Sequence, residues 1–277
     1  MTSVTAQGNT RCGTGRDGKV FRMFKKLLAA VGVGGAEVET ELFGAGVQPG
    51  GVLQGVIRLR GGQTAQRVTS VDVELVTRVE VEHDDGEYVG EAGFGRVRVQ
   101  GGFELNPGAS LEFPFGLRAP METPITFYNN RHLPGTSVAV RTVVDLNGGV
   151  DAKDTDPIGV GALPAQHVIL DAVERWGFGL RSADVESGRV SGTPQQLPFY
   201  QEIEFAPSPR FPRINQLEVT FVAVEHGMSV VMEADKRGGL LSAGRDSFDA
   251  LWVDFAAMGQ VDWVAAVGQR LERLASR

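Results

Sequence analysis

The sequence predicts a mainly β fold built of two tandem β-sandwich domains, the second of which carries helices, including one at the C-terminus. Three observations predict this fold. Short apolar runs recur along the chain, several of them alternate with polar residues, and 37 glycines against 13 prolines supply turns between them. Hydrophobic residues make up 42% of the 277 residues, which is enough for a packed core.

The N-terminal residues are expected to stand apart from the first domain. Residues 1–22 are polar and lack the apolar segment that a secretory signal needs, so we interpret them as a disordered extension or a misassigned start. Residues 23–35 predict a short helix whose apolar side packs on the domain. The alternative for this helix is peripheral membrane contact through Phe24 to Val31.

The first predicted domain spans residues 36–162, and its clearest element is a strand at 71–82. Valine and leucine alternate there with charged residues, which predicts one face in the core and one face in water. A turn is predicted after it at 83–86. Similar patterns predict the remaining strands, at 37–42, 52–60, 97–99, 111–117 and 138–146.

The second predicted domain spans residues 165–277 and follows a linker at 159–164. Apolar residues between Val168 and Trp176 have helical spacing, and Gly177 fits the C-terminal cap of that helix. A hairpin turn is predicted at 225–227. The strands predicted for this domain lie at 180–186, 199–205, 217–224, 228–234 and 248–255.

A helix is predicted at the C-terminal end. Asp262 can cap it, and Val264, Val267, Leu271 and Leu274 form an apolar stripe. Docking of this stripe on its own domain is the favoured interpretation. Self-association through the stripe, which would give a homo-oligomer, is the alternative.

Charge and cysteine content argue against some classes of partner and favour one compartment. A formal net charge of −7 argues against non-specific binding to nucleic acid or anionic lipid, because both require a basic surface. The single cysteine, Cys12, cannot form an internal disulfide, which fits a reducing cytoplasm. No run approaches 18 apolar residues, so no membrane span is predicted.

The sequence predicts no catalytic and no cofactor-binding residue. Its four histidines have no metal-ligand spacing, and it has neither a Gly-x-Ser-x-Gly motif nor a phosphate-binding loop. The one candidate for a metal site is an acidic run in which Asp151, Asp154 and Asp156 offer carboxylate oxygens to calcium. The run lacks the glycine and the terminal glutamate of an EF-hand, so a solvated turn is the preferred interpretation.

Three segments together resemble a known family. They are 48–59, which opens with Gln-Pro-Gly-Gly, 106–115, which opens with Asn-Pro-Gly, and 140–158, which contains the acidic run. They resemble the arrestin-type sandwich and, more closely, the bacterial sporulation-control proteins of the stage-zero M type, whose start is similar to Met-Phe-Lys-Lys at 23–26. The resemblance implies two arrestin-like sandwiches, a cytosolic location, a regulatory role in sporulation and no enzymatic activity. It supplies no site residue.

Besides a peripheral membrane role through Phe24 to Val31, two classes of function follow. The first is a non-enzymatic regulatory or scaffold protein of a sporulation or developmental pathway that binds an unidentified protein partner. Its binding surface would be an exposed sheet edge or the groove between the two sandwiches, since such folds bind extended peptides by strand addition. The alternative is a ligand- or calcium-binding module, or an enzyme, with a cleft between the domains.

Overall fold

A computed structural model describes residues 34–83, 86–236 and 247–276 of the chain. The extension predicted at 1–22 and nearly all of the helix predicted at 23–35 lie outside these ranges. The strands are β1 Glu37–Leu42, β2 Gly46–Val47, β3 Val52–Arg60, β4 Gln66–His83, β5 Gly86–Leu105, β6 Ser110–Arg118, β7 Phe127–Tyr128, β8 Arg131–His132, β9 Val138–Leu146, β10 Ala152–Val160, β11 Gly179–Ser187, β12 Phe199–Ala206, β13 Ile214–Val224, β14 Gly227–Lys236 and β15 Ser247–Asp254. The helices are α1 Pro164–Arg175, α2 Trp263–Ser276 and a 3₁₀ turn at Met258–Gln260.

The first half of the chain is a sandwich of two sheets. The smaller sheet has the order β1-β3-β6, and it packs on a larger sheet that contains β4, β9 and β10. Alternate residues of each strand point into the shared core, so Ile57 and Val73, from opposite sheets, are both 0% exposed. A hydrogen bond of 2.7 Å between the hydroxyls of Thr40 and Thr142 also joins the two sheets.

The larger sheet runs through both halves of the chain. Its order is β15-β14-β13-β12-β11-β4-β9-β10-β2, and β5 lies along the other edge of β4. One edge of β4 is shared, because β9 pairs with Val68–Thr77 and β11 pairs further along, at Glu80. The long β4–β5 hairpin therefore joins the two halves, and the domain boundary predicted near residue 162 stays a prediction.

Strands β11 to β15 pair antiparallel in sequence order. Helix α2 packs against β14 and β15, and α1 packs against α2. Asp262 caps α2, since its Oδ1 accepts a hydrogen bond of 3.0 Å from the backbone N–H of Ala265. The indole Nε1 of Trp176 donates to the backbone oxygen of Val264 at 2.8 Å and so links the end of α1 to α2. Val267, Leu271 and Leu274 are 0% exposed, so the terminal helix docks on its own chain.

The predicted fold class, mainly β with helices near the C-terminus, is confirmed. The prediction of a turn across the acidic run 151–156 is wrong, because Ala152–Val160 forms β10, which pairs antiparallel with β9. Alternate residues of β10 point into the sandwich, and Ile158 and Val160 are buried there. None of the helices in the described ranges is long and apolar enough to cross a membrane.

Candidate functional site

The candidate site is the face of the larger sheet that points away from the apolar core in the second half of the chain. Strand register aligns carboxylates across this face, since Asp184 pairs with Glu202, and Glu204 pairs with Glu218, which pairs in turn with Glu233. All of the aligned carboxylates are half-buried. We define the acidic face by seven residues, Glu80, Asp184, Glu186, Glu202, Glu204, Glu218 and Glu233.

Three glutamates lie at the centre of the acidic face. Carboxylate oxygens of Glu202, Glu218 and Glu233 lie within 4.8 Å of one another. Gln216 sits beside them, and its Nε2 donates to Glu218 at 2.8 Å and to Glu204 at 3.1 Å. In the parts of the chain that the structure describes, this is the one group of three carboxylate, histidine or cysteine side chains close enough to hold a metal ion.

The crowding of carboxylates shifts their protonation. Burial, then the charges of Glu218 and Asp184, raises the pKa of Glu202 to about 8. Burial, then the charge of Glu204, raises the pKa of Asp184 to about 7. The pKa of Tyr200 is also raised, by burial and by neighbouring carboxylates. The acidic face can therefore attract cations or take up protons near neutral pH.

The same face of β4 is ion-paired in the first half of the chain. Asp72 accepts hydrogen bonds from Arg96 at 2.7 Å, from Arg98 at 3.0 Å and from the Ser70 hydroxyl at 2.7 Å. Burial pushes the pKa of Asp72 upward, but the hydrogen bonds from Arg98, Arg96 and Ser70 outweigh it and hold the pKa at about 2. The negative charge is thus compensated at this end of the sheet.

The prediction that this face of 71–82 is exposed to water is wrong for its first part. Asp72 is 2% exposed and Glu74 is 9% exposed. Arg141 of β9 contacts Glu74 at 2.7 Å and also reaches Glu91 of β5 at 3.2 Å. Long arginine side chains from the neighbouring strands cover these carboxylates, which a strand pattern cannot indicate.

A second feature of the site is the outer edge of β5. This strand pairs with β4 along one edge, and no strand in the described ranges pairs with its other edge. Register is regular from Tyr88, opposite Val81, to Phe94, opposite Leu75. We call residues 88–94 the distal edge. It borders the acidic face, because Val89 of the distal edge pairs with Glu80.

The three aspartates predicted as weak calcium candidates have separate surroundings. Asp151 accepts a hydrogen bond from the backbone N–H of Leu146 at 3.2 Å. Asp154 accepts one from the backbone N–H of Thr40 at 2.6 Å, in the opposite sheet, and Asp156 is buried in the sandwich at 3% exposure. The three do not form a group of metal-ligating atoms among the described residues.

Sequence reasoning missed the acidic face as a site, although its local signal was present. Glu202 and Glu204 alternate with the buried Ile203 and Phe205, as in a strand with one polar face. The pattern does not show which strand lies beside which, because pairing partners are set by the whole fold. The distal edge, by contrast, had no local signal, since an edge is defined by a missing neighbour.

Comparisons with known proteins give one consistent result. Residues 24–238 match the family model described as SpoOM protein. The chain is 38% identical over 216 residues to the sporulation-control protein spo0M of Bacillus subtilis (strain 168), which covers 77% of this chain and 81% of that protein. It is also similar to the crystal structure of Spo0M from Bacillus subtilis, with a TM-score of 0.75 and 31% identity over 87% of this chain and 100% of that chain.

Proposed function

The chain belongs to the SpoOM protein family, and on that premise we propose that it regulates sporulation by binding another protein, without catalysing a reaction. The observation that carries this proposal is the similarity to a sporulation-control protein over about four fifths of both chains, with 77% of this one covered. A shared role is the expected consequence of a match that is neither local nor confined to one motif.

The acidic face supports the protein-binding part of the proposal. Its seven carboxylates spread over five neighbouring strands and form an extended charged surface rather than a cleft around one reacting group. Extended charged surfaces choose partners by complementary charge and speed their association. The proposal also includes a cytoplasmic location, which fits the single cysteine and is testable by cell fractionation.

The role is tested by complementation. The chain is expressed in a Bacillus subtilis strain that lacks its own spo0M, and heat-resistant spores are counted. We expect the spore count to return to that of the parent strain. An unchanged count, at a protein level equal to that of the native relative, would refute the regulatory role.

The contribution of the acidic face is tested in the same strain. The triple substitution Glu202→Gln, Glu218→Gln, Glu233→Gln removes the ionisable carboxyls at the centre of the face, and we expect it to abolish complementation while the far-UV circular dichroism spectrum stays unchanged. A matched control removes three exposed glutamates elsewhere, by Glu104→Gln, Glu112→Gln and Glu225→Gln, and should complement fully. Equal spore counts from the two variants would show that the acidic face has no specific part in the function.

A further inference from the structure

We propose that the distal edge of β5 binds a partner segment as an added β-strand, and that this segment alternates basic with apolar residues. The inference rests on the proposed function, because it names the partner chemistry of a protein-binding regulator. Strand addition supplies backbone hydrogen bonds for affinity, and alternate side chains on the two faces supply specificity.

The distal edge is the regular part of a long strand. Seven consecutive residues from Tyr88 to Phe94 pair with β4 without a shift in register. The rest of β5 is irregular, with two register shifts and with Gly95 and Gly102 at φ of +63° and +66°. Bulges of this kind disrupt the ladder and protect an edge against further pairing. The structure therefore protects one half of the edge and leaves the other half regular.

The side chains of the distal edge do not protect it against a basic partner. Edge strands usually avoid new partners by means of charged side chains or proline, and residues 88–94 contain one charged residue, Glu91, which repels acidic segments but not basic ones. Tyr88 is 52% exposed and Val89 is 48% exposed, although they lie on opposite faces of the strand. By contrast, Arg96 and Arg98 lie on the irregular half. An added strand would thus find an apolar contact on each face.

Charge decides the chemistry of the added strand. Side chains directly opposite each other on paired strands lie about 5 Å apart, so residues of the added strand on one face would stand beside Val89 and Glu91. On that face, Val89 pairs with Glu80, and Glu80 pairs with Glu186. Glu91 pairs with Arg78 and also contacts Arg141 at 3.2 Å, so the excess of negative charge lies at the Val89 end. A basic residue beside Val89 would meet the carboxylates of Glu80 and Glu186. The intervening residues would stand beside Tyr88 on the other face and are therefore expected to be apolar.

The same charges disfavour a second copy of this chain as the occupant. Edge-to-edge pairing of two copies would place both acidic faces side by side on one continuous sheet. Each chain carries a formal net charge of −7, so like carboxylates would repel one another across the new ladder. The same negative charge that opposes a dimer attracts a basic extended segment.

Binding of synthetic peptides to the purified full chain tests the proposal. The probe is a fluorescently labelled nine-residue peptide of alternating lysine and valine, followed by fluorescence anisotropy at low salt. We expect binding that weakens as salt is added and that falls about tenfold or more when glutamate replaces lysine. N-methylation of the five central backbone amides keeps every side chain but removes the donors, and it should weaken binding to a similar extent.

Paired substitutions on β5 locate the site. Val89→Lys should weaken lysine–valine peptide binding about tenfold, whereas Val89→Glu should strengthen it, because the two changes alter the local charge in opposite directions. Val97→Lys, at an exposed valine on the irregular half of the same strand, should leave binding unchanged. A disturbed fold would weaken binding in both Val89 variants alike, which separates that outcome from a charge effect.

Three results would overturn the proposal: equal binding of the N-methylated peptide, equal binding of the glutamate peptide, or equal effects of Val89→Lys and Val97→Lys. A concentration-dependent dimer that Val89→Lys abolishes, measured by sedimentation, would assign the edge to a second copy instead. Complementation keeps this test apart from the regulatory role. If Val89→Lys loses peptide binding but still restores spore counts, the edge is not the functional surface and the regulatory role stands.

Discussion

At the scale of single residues, Glu202 and Asp72 show how position decides the state of a carboxylate. Both lie on the same face of one sheet and both are largely covered. Asp72 has two arginines and a serine as donors, which hold its pKa at about 2. Glu202 has Glu218, Asp184 and Glu233 nearby, and together with burial they raise its pKa to about 8. The donors stabilise the ionised form of Asp72, whereas the neighbours of Glu202 oppose ionisation.

The raised pKa of Glu202 makes folding stability depend on pH. Below its ordinary value of 4.5 the carboxyl is protonated in both the folded and the unfolded chain. Between 4.5 and about 8 the unfolded chain releases the proton while the folded chain keeps it, so the stability that Glu202 contributes is lost progressively as the pH rises. Above about 8 the folded chain holds an unfavourable charge.

Glu202→Gln should therefore stabilise the protein at high pH. We expect a gain in the free energy of unfolding on the order of 1–2 kcal/mol at pH about 9, and little difference at pH about 4. Urea unfolding of variant and parent at a series of pH values measures it. Glu104→Gln, at an exposed glutamate on β5, is the control and should show no such trend. A gain that is the same at every pH would contradict the interpretation.

At the scale of elements, strands with alternating patterns were predicted well. The predicted bounds of β1, β3 and β9 agree with the structure, at Glu37–Leu42, Val52–Arg60 and Val138–Leu146. β10 was missed because its aspartates and Pro157 are rare in strands, and local propensity therefore favoured a turn. Pairing with β9 overrides that propensity, and the backbone of Thr40 satisfies Asp154 from the opposite sheet.

The terminal helix yields a second prediction. Leu271 lies on the buried side of α2 and is 0% exposed. Leu271→Ala should therefore lower the free energy of unfolding by about 2–4 kcal/mol. Glu272→Ala, at the exposed neighbouring position, should change it by less than about 0.5 kcal/mol. Denaturant titration measures both. If the stripe served self-association instead, Leu271→Ala would change the sedimentation coefficient and leave the stability of the monomer intact.

At the scale of the whole molecule, the β4–β5 hairpin couples the two halves. β4 contributes to the sandwich of the first half along Val68–Thr77, and it joins the second half at Glu80. Unfolding of the first-half sandwich would therefore remove β4, the strand that pairs with β11 of the second half. Coupling of this kind favours unfolding in a single transition over independent melting of two domains.

Tryptophan fluorescence can test this coupling, because Trp176, Trp252 and Trp263 all lie in the second half of the chain. Leu59→Ala removes a buried side chain of the first-half core. We expect it to lower the tryptophan-detected melting temperature by several degrees, and by the same amount as the melting temperature from far-UV circular dichroism. Leu271→Ala in the second half should likewise shift both signals together. A tryptophan transition that stays in place after Leu59→Ala would show two independent domains.

The sequence by itself determined the mainly β class, most strands, the terminal helix and the family resemblance. These properties depend on local periodicity and on motifs within a few residues. The tertiary structure alone decided that Glu202, Glu218 and Glu233 meet, that arginines cover Asp72, and that β5 keeps an unpaired edge among the described strands. The physical reason is that a side-chain pattern fixes which face of a strand is polar, whereas the packing of the whole chain fixes which strand lies beside it.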